Sequence, residues 1–279
     1  MKLGCEKAVF TNRLRDIKKN IDRIYFGNEF CQNLIPELGI LKQWYISVKE
    51  KNKEFTFVTP FVTNSGLKRL EIIFGFLNTQ DNVEVVFNDW GVFGTIKNNF
   101  KNLKPVLGRL LTKQRRDPRI LKIFLGKQKV REVFISDVKK TKAILFPKNV
   151  PPNLFEHYRA SVINVPLFQK YLLSQGINRV EIDNLIWEMN VKVNRKIGIS
   201  IYLPYGYITT SRMCGRLTLT YAACKKECKR YFLRLENKTL PVPFYGIGNT
   251  VFYKSRGPSN DRLAELGIDR IVYQPRLPF

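Results

Sequence analysis

Residues 54–91 read EFTFVTPFVTNSGLKRLEIIFGFLNTQDNVEVVFNDWG, and their pattern decides the fold. Residues 54–62 are rich in β-branched and aromatic side chains, which predicts a strand. Residues 67–77 carry apolar side chains at helical spacing, which predicts a helix. A second strand is predicted at residues 83–87 and is followed by the polar pair Asn88 and Asp89. The stretch therefore predicts a strand–helix–strand unit with polar side chains directly after its second strand.

The same alternation extends in both directions along the chain. Strands are predicted at residues 8–12, 22–27, 54–62, 83–87, 104–107, 160–164, 179–183 and 196–203. Helices are predicted at residues 14–20, 35–50, 67–77, 92–100 and 165–173, and from about residue 184. Eight strands separated mostly by helices favour a (β/α)8 TIM-like barrel, complete or distorted, over an open doubly wound sheet. Residues 1–279 are therefore interpreted as one domain.

Residues 111–155 interrupt this regular alternation. They contain the basic, proline-containing run TKQRRDPRILKIFLGKQKVRE and, further on, the proline-rich FPKNVPPN. A connection of this length without structure of its own is uncommon, so we interpret it as an insertion after strand five. We expect it to contain one helix around residues 129–137 and to cover one mouth of the barrel as a lid.

The composition is that of a folded, strongly basic protein. The 279 residues are 44% hydrophobic and 13% aromatic, enough to build a sizeable core. A net charge of +25 attracts polyanions such as RNA, DNA or an anionic membrane face, and it is equally consistent with a solvated, lysine-rich surface. No run approaches the length of a membrane span, so no span is expected.

Cysteine and histidine usage narrows the chemistry. The chain starts without the apolar segment of a signal peptide, so its five cysteines are expected to be reduced and to serve metal or redox work in the cytoplasm. The single histidine excludes HExxH metalloprotease sites and multi-histidine metal centres, which need at least two histidines.

Polar residues follow nearly every predicted strand, at the end where a barrel carries its active site. Each one taken alone could be an ordinary cap or turn residue, but their recurrence favours the barrel. They are Asn12, Glu29, Asn64, Asn88, Asp89, Arg109, Asn164, Asp183, Asn184, Tyr205 and Tyr207.

Residues 205–230 hold three cysteines, Cys214, Cys224 and Cys228, at C-x9-C-x3-C spacing. Thiolates at short spacing suit zinc or an iron–sulfur cluster. Neighbouring cations would lower thiol pKa values and offset the charge of a thiolate site. Three ligands are one short of four, and the candidates for the fourth are Cys5 and Cys31.

Four further segments together form a pattern that resembles that of a known family. Tyr25, Gly27 and Cys31 form a Y-x-G-x-x-x-C motif, and Asp89 and Gly91 are followed by Gly108. The block from Tyr205 through Arg212 to Cys228, and the turn at residues 245–249, complete the pattern. The chain resembles the collagenase-like peptidase family U32, and within it the iron–sulfur subunits of the oxygen-independent ubiquinone hydroxylation pair. The resemblance spans residues 22–253 and is weak over residues 111–155.

The resemblance implies that Cys31, Cys214, Cys224 and Cys228 bind one [4Fe-4S] cluster, with residues 205–253 as the cluster-binding segment. In a barrel the ends of strands two and eight open onto one face, so Cys31 can reach the other three cysteines. Cys5 precedes strand one and would start from the opposite face. Zinc remains the alternative occupant, because four thiolates also suit that ion.

The resemblance also implies a reaction, the oxygen-independent hydroxylation of an RNA base or a quinone precursor. Arg109 is expected to bind the carboxylate of a small organic cosubstrate, with an ion pair to Asp89 as its alternative role. Asn88, Asp89, Glu29 and Tyr207 are expected to line the same pocket. The charge favours RNA, with Arg115, Arg116 and Arg119 contacting phosphates.

Two alternatives stay open. A U32-type peptidase with a nucleophilic mechanism would have to use His157 as its base, and His157 is expected to precede a strand at the face opposite the site. The second alternative is a non-catalytic cluster-bearing subunit, which would work as a heterodimer with a second U32-like chain.

Overall fold

The computed structural model describes residues 4–118, 120, 130–135, 143–148, 152–214, 224–236 and 242–278. Its centre is a closed barrel of eight parallel strands, so the predicted (β/α)8 class is confirmed. Following the barrel around, the strands are β1 (Glu6–Phe10), β14 (Arg270–Tyr273), β9 (Gly198–Leu203), β8 (Arg179–Asp183), β5 (Lys104–Leu107), β4 (Glu84–Phe87), β3 (Glu54–Val58) and β2 (Arg23–Gly27).

Two apolar layers follow from the alternation of side chains along these strands. Inside the barrel, a compact cluster includes Tyr25, Val58 and Tyr202. Outside it, residues such as Ile24 and Phe57 pack beneath the surrounding helices in a much larger core. The helices are α1 (Leu38–Lys49), α2 (Asn64–Leu77), α3 (Trp90–Asn99), α4 (Pro152–Arg159), α5 (Pro166–Ser174) and α6 (Asn260–Glu265).

The predicted sixth strand at residues 160–164 is wrong. A single 3-10 turn, Val162–Asn164, occupies this place, and the Ser161 hydroxyl accepts a hydrogen bond from Ile163 N at 3.2 Å. Only Ile163 is fully buried in the turn, so the apolar run reflects one core contact and not a pleated segment. The predicted strands at 179–183 and 196–203 therefore become barrel strands six and seven, and β14 closes the barrel as the eighth.

The helix predicted from residue 184 is also wrong. Residues 184–197 contain no regular helix. Leu185, Trp187 and Met189 are buried at every second position, which is the periodicity of an extended chain. Likewise the helix predicted at residues 14–20 is a single 3-10 turn, Leu14–Asp16.

A second sheet lies between barrel strands β9 and β14 in the sequence. It is antiparallel and has the order β10 (Tyr205–Thr210), β13 (Thr250–Lys254), β12 (Phe244–Ile247) and β11 (Leu233–Leu235). The cysteine segment thus follows the seventh barrel strand, not the eighth. It still leaves from the carboxyl end of a barrel strand, which is the end that carries sites in this fold.

The insertion after β5 begins with residues 111–118, which include the buried Thr112 and Gln114. Further along, β6 (Val130–Ile135) and β7 (Ala143–Lys148) pair as an antiparallel hairpin. The helix predicted around residues 129–137 is therefore wrong over the part that the structure describes. None of the described helices combines the length and apolar character needed to cross a bilayer.

Candidate metal centre at the barrel mouth

Cys31 lies in the loop that leaves barrel strand β2. Gly27 ends that strand at φ 131°, and a Cβ there would lie 2.2 Å from the Val58 carbonyl oxygen, so only glycine allows this exit. The Asn28 side-chain oxygen then accepts hydrogen bonds from the amides of Phe30 and Cys31, at 3.0 and 2.7 Å. These bonds fold the loop and place Cys31 at the mouth.

Cys214 lies just after β10, and Asn249 links its loop to the Cys31 loop. The Asn249 amide nitrogen donates to Phe30 O at 2.7 Å and also to Ser211 O. Ser211 N returns a bond to Asn249 O at 3.1 Å. One side chain thereby bridges two cysteine-bearing segments. The sequence pattern marked the turn that contains Asn249 but not this role.

Cys228 lies in the middle of the 3-10 turn Glu227–Lys229, and Cys224 precedes that turn. Lys226, directly before the turn, has a left-handed backbone conformation, with φ 55°. Cys228 packs against an apolar cluster that includes Phe30 and Phe252. Phe30 is the residue before Cys31, so the apolar cluster brings the last cysteine to the Cys31 loop.

Two of the four cysteines, Cys31 and Cys228, have pKa values that burial and the neighbouring thiols raise. Burial raises the pKa of Cys31, and the charges of Cys224 and Cys214 raise it further. Burial likewise raises the pKa of Cys228 to about 11, with added repulsion from the other three thiolates. A cation bound between the four thiols would reverse this shift, since it stabilises the thiolate form.

Cys5 is remote from this group. Its sulfur lies 3.9 Å from the Ile268 carbonyl oxygen, in the segment that precedes β14, so it sits at the opposite end of the barrel. Burial raises the pKa of Cys5, and the nearby carboxylates of Asp269 and Glu6 add to the shift.

The chemistry of the donor set fits a thiolate-bound metal or cluster. Cys31 and Cys214 border a cavity of about 60 Å³ that is also lined by Phe61, Arg212 and Asn249, and among the described residues no histidine or carboxylate lines it. In this conformation the described residues contain no group of three cysteine, histidine or acidic side chains gathered at coordinating distance.

Beneath the cysteines lies a buried charge network centred on Arg109. Its side chain is 0% exposed. Nε and Nη2 donate to the Glu29 carboxylate at 2.7–3.0 Å, and Nη1 donates to Asp183 Oδ1 at 2.6 Å. Its guanidinium also stacks 4.0 Å from the centre of the Tyr202 ring. Burial raises the pKa of Glu29 even though Arg109 acts against that rise.

This geometry corrects two expectations for Arg109. It pairs with Glu29 and Asp183 and not with Asp89. Its remaining contacts go to the Tyr205 carbonyl at 3.0 Å and to the Gln274 side-chain oxygen, in the amide orientation that satisfies both partners, at 3.1 Å. A cosubstrate carboxylate would therefore have to displace an internal carboxylate from a sealed site, at a large desolvation cost.

Asn88 and Asp89 hold the mouth loops in place. The Asn88 amide donates to Thr59 O at 2.9 Å and accepts from Leu110 N at 3.1 Å. A Cβ at Gly108 would lie 2.1 Å from the Asn88 oxygen, which explains the glycine there. Asp89 caps α3 by accepting from Gly91 N at 2.7 Å and binds Val62 N at 3.2 Å.

Of the three arginines expected to contact RNA phosphates, the structure describes two, and neither of these side chains is fully exposed. Arg116 is buried, donates to Asp183 Oδ2 at 2.8 Å and stacks 4.0 Å from the Tyr207 ring centre, so the phosphate contact expected of it is wrong. Arg115 is partly buried and donates to the Ala160 carbonyl at 3.0 Å. Arg119 lies outside the described residues.

His157 is exposed on α4. It lies within a helix and does not directly precede a strand. Its ring meets the Tyr158 ring edge-on, with 5.5 Å between the centroids.

A second, open cavity of about 720 Å³ adjoins the cysteine cavity, and the Phe61 ring lines both. Its other lining residues include Asn88, Lys113, Arg116, Tyr207 and Thr210. The Tyr207 hydroxyl donates to Arg109 O at 3.3 Å, and burial raises its pKa to about 12, so it stays protonated at neutral pH. This cavity is large enough for a small-molecule substrate.

Fold and site together define a (β/α)8-barrel protein that carries Cys31, Cys214, Cys224 and Cys228 on loops at the carboxyl end of its barrel. No family model and no curated protein matches the chain. Among solved structures, it is similar to the U32 peptidase Mk0906 at 9% identity and TM-score 0.47, over 99% of this chain and 95% of that one.

Two further solved structures are similar at a lower level. One is a glycoside hydrolase family 18 N-acetylglucosaminidase from Paenibacillus barengoltzii, at 10% identity and TM-score 0.36, over 97% of this chain and 94% of that one. The other is YKL-39 in the presence of chitooligosaccharides, at 9% identity and TM-score 0.33, over 96% and 91%. At this distance the likenesses carry no functional argument, and the fold rests on the strand pairing of this chain.

Proposed function

We propose that Cys31, Cys214, Cys224 and Cys228 hold a [4Fe-4S] cluster, and that the protein takes part in oxygen-independent hydroxylation of an RNA base or a quinone precursor. The observation that carries this proposal is the placement of the cysteines at the barrel mouth beside the 720 Å³ cavity. Cys31 and Cys214 line one small cavity, and Cys228, on the same loop as Cys224, packs against the apolar cluster next to Cys31. Structural zinc is the alternative occupant of the same thiols.

The charge around the cysteines supports a strongly negative occupant. Four thiolates with a cluster carry net negative charge, which nearby cations offset. Arg212 lines the cysteine cavity and lies 3.8 Å from the Asp89 carboxylate. Lys225, Lys226 and Lys229 are exposed on the loop that carries Cys224 and Cys228.

A bound cluster would supply the electron or oxygen-atom chemistry. The residues of this chain orient the substrate in the adjoining cavity. Phe61 forms an apolar wall between that cavity and the cysteines, and exposed Lys113 offers a cation to an anionic substrate. The Tyr207 hydroxyl stays protonated, and Arg116 fixes its ring from one face.

The partners proposed are RNA, a small carboxylate cosubstrate and a second U32-like chain in a heterodimer. The net charge of +25 favours the nucleic acid. A salt titration of RNA binding tests this, because phosphate contacts give a steep salt dependence. Co-purification from the native cell tests whether the chain acts alone or as a non-catalytic subunit.

The cluster is tested by anaerobic purification, with iron, sulfide and zinc content and the visible spectrum as readouts. Replacing any one of the four cysteines by alanine should abolish the chromophore. Cys5→Ala is the matched control and should keep it, because Cys5 lies at the other end of the barrel. A colourless protein holding one zinc ion would refute the cluster.

The reaction is tested separately from the cluster. Cells lacking the protein are compared with cells carrying the wild type or Cys31→Ala, with RNA nucleosides and quinones analysed by mass spectrometry. Loss of one hydroxylated product in both deficient strains supports the proposal. A protease activity that disappears in His157→Ala would instead favour the U32-type peptidase, since no other histidine is available as a base.

A further inference from the structure

A third cavity, of about 270 Å³, lies at the carboxyl ends of β1, β2 and β14. Its wall is largely apolar. Phe26 and Trp44 stack with ring centroids 4.6 Å apart and an interplanar angle of 18°, and Ile40, 47% exposed on the helix surface, faces the same space. An apolar pocket with a few polar groups is typical of a small-molecule site.

In the described part of the chain, three cations line this cavity, namely Lys226, Lys229 and Arg276. Arg276 donates through Nη2 to both carboxylate oxygens of Asp16, at 2.9 and 2.8 Å. Its Nη1 is buried and has no hydrogen-bond partner among the described residues. Unlike Arg109, whose nitrogens are all engaged, Arg276 therefore keeps a guanidinium nitrogen unused.

The charged side chains that line the cavity indicate the net charge of the anion that it accepts. Asp16 offsets the Arg276 charge, and the exposed Glu37 offsets one of the two lysines. One positive charge remains. Lys226, Lys229 and the partly exposed Arg276 offer charge-assisted hydrogen bonds to a carboxylate in the cavity.

We propose that this cavity binds an amphipathic monocarboxylate, with its apolar body against Phe26 and Trp44 and its carboxylate on Arg276, Lys226 and Lys229. This site goes beyond the proposed function because none of its contacts involves a cluster. It does adjoin the cysteine centre, since the two lysines flank Cys228 and Asn28 both lines the cavity and orders Cys31. A bound anion would hold the loop that carries Lys226 and Lys229 against the barrel.

The probe is 4-phenylbutyrate, compared with its uncharged amide, 4-phenylbutyramide, by isothermal titration calorimetry on the full chain. The acid should bind at least tenfold more tightly than the amide. Arg276→Gln should raise Kd for the acid about tenfold or more and leave the amide unchanged, because a charge-assisted hydrogen bond is lost. Trp44→Leu should weaken acid and amide alike.

A double variant, Lys226→Asn with Lys229→Gln, decides the matter if Arg276→Gln fails to fold. Both lysines are exposed, and asparagine tolerates the left-handed backbone at position 226. This variant should raise Kd for the acid about five- to tenfold. Lys51→Gln, an exposed lysine in the turn after α1, is the matched control and should change nothing.

Equal affinity for acid and amide in the wild type would overturn the proposal, as would acid binding that survives in both cation variants. Metal content is measured in each preparation. Acid binding in a protein without a cluster would leave this inference standing while the proposed function fails, so the two results are separable.

Discussion

Glu181 makes the stability of this protein depend on pH in an unusual direction. It projects into the barrel interior and is 0% exposed, and its Oε1 has no hydrogen-bond partner among the described residues. The Tyr202 hydroxyl donates to its other oxygen. Burial raises the pKa of Glu181 to about 8; Tyr202 and Arg270 act against the rise, and the charge of Glu29 adds to it. We therefore predict that Glu181 is protonated in the folded protein at neutral pH.

The size of the effect follows from linkage. The folded protein keeps a proton that the unfolded chain releases between pH 4.5, the ordinary value, and about 8. Each pKa unit corresponds to about 1.4 kcal/mol, so the free energy of unfolding should fall by roughly 5 kcal/mol as pH rises through that window. Below it both states are protonated, and above it both are ionised, so the contribution is constant on either side.

The measurement is urea unfolding at several pH values from 4.5 to 9, on wild type and Glu181→Gln of equal metal content. Glu181→Gln should abolish most of the slope, because glutamine stays neutral throughout. Glu50→Gln, an exposed carboxyl on the surface, should keep it. An equal slope in wild type and Glu181→Gln would refute the assignment.

Three more predictions follow from named contacts. For Glu84, burial acts to raise the pKa, but the two hydrogen bonds from Arg270 outweigh it and lower the pKa to about 2. Stability is therefore lost as pH falls from 4.5 towards 2, and Glu84→Gln should remove roughly 3 kcal/mol of that loss in acid unfolding curves; an unchanged acid limb would contradict this. Arg109→Ala should lower the free energy of unfolding by about 3–5 kcal/mol, because it leaves buried carboxylates uncompensated. A urea unfolding curve of this variant that matches the wild-type curve would contradict the prediction. Asn249→Ala should at least halve the iron retained after chelator treatment, whereas the exposed Asn98→Ala should retain all of it; equal retention would leave Asn249 no positioning role.

Local pattern was enough to predict the barrel, but not the identity of every strand in it. The predicted bounds at residues 104–107 and 179–183 coincide with β5 and β8, because these short runs sit between clear turns. β14, Arg270–Tyr273, is not predicted because all eight expected strands are already assigned before the cysteine segment, which β14 follows. The 3-10 turn Val162–Asn164 is predicted as a strand instead, since one buried isoleucine in a short apolar run resembles a pleat.

In the candidate site, too, the local features can be predicted from the sequence and the long-range contacts cannot. The spacing of the cysteines can be read from the sequence because it is local, and Cys31 follows β2 as predicted. The partners of Arg109 could not be read from the sequence, since Glu29 and Asp183 lie 80 and 74 positions away. A polar residue after a strand signals the barrel mouth, but whether it faces a cavity or another buried charge is settled only by the tertiary fold.

The buried charges and the cysteines are parts of one arrangement. The sheet that leads to Cys214 rests on the barrel through polar contacts, because Arg109 Nη1 donates to the Tyr205 carbonyl and the Tyr207 hydroxyl donates to Arg109 O. Arg116 stacks on the Tyr207 ring while bound to Asp183. Apolar packing alone would let this sheet shift, whereas hydrogen bonds to a buried guanidinium fix its register. Arg109 thus positions the sheet that leads to Cys214, so its replacement should loosen the proposed metal site as well as the fold.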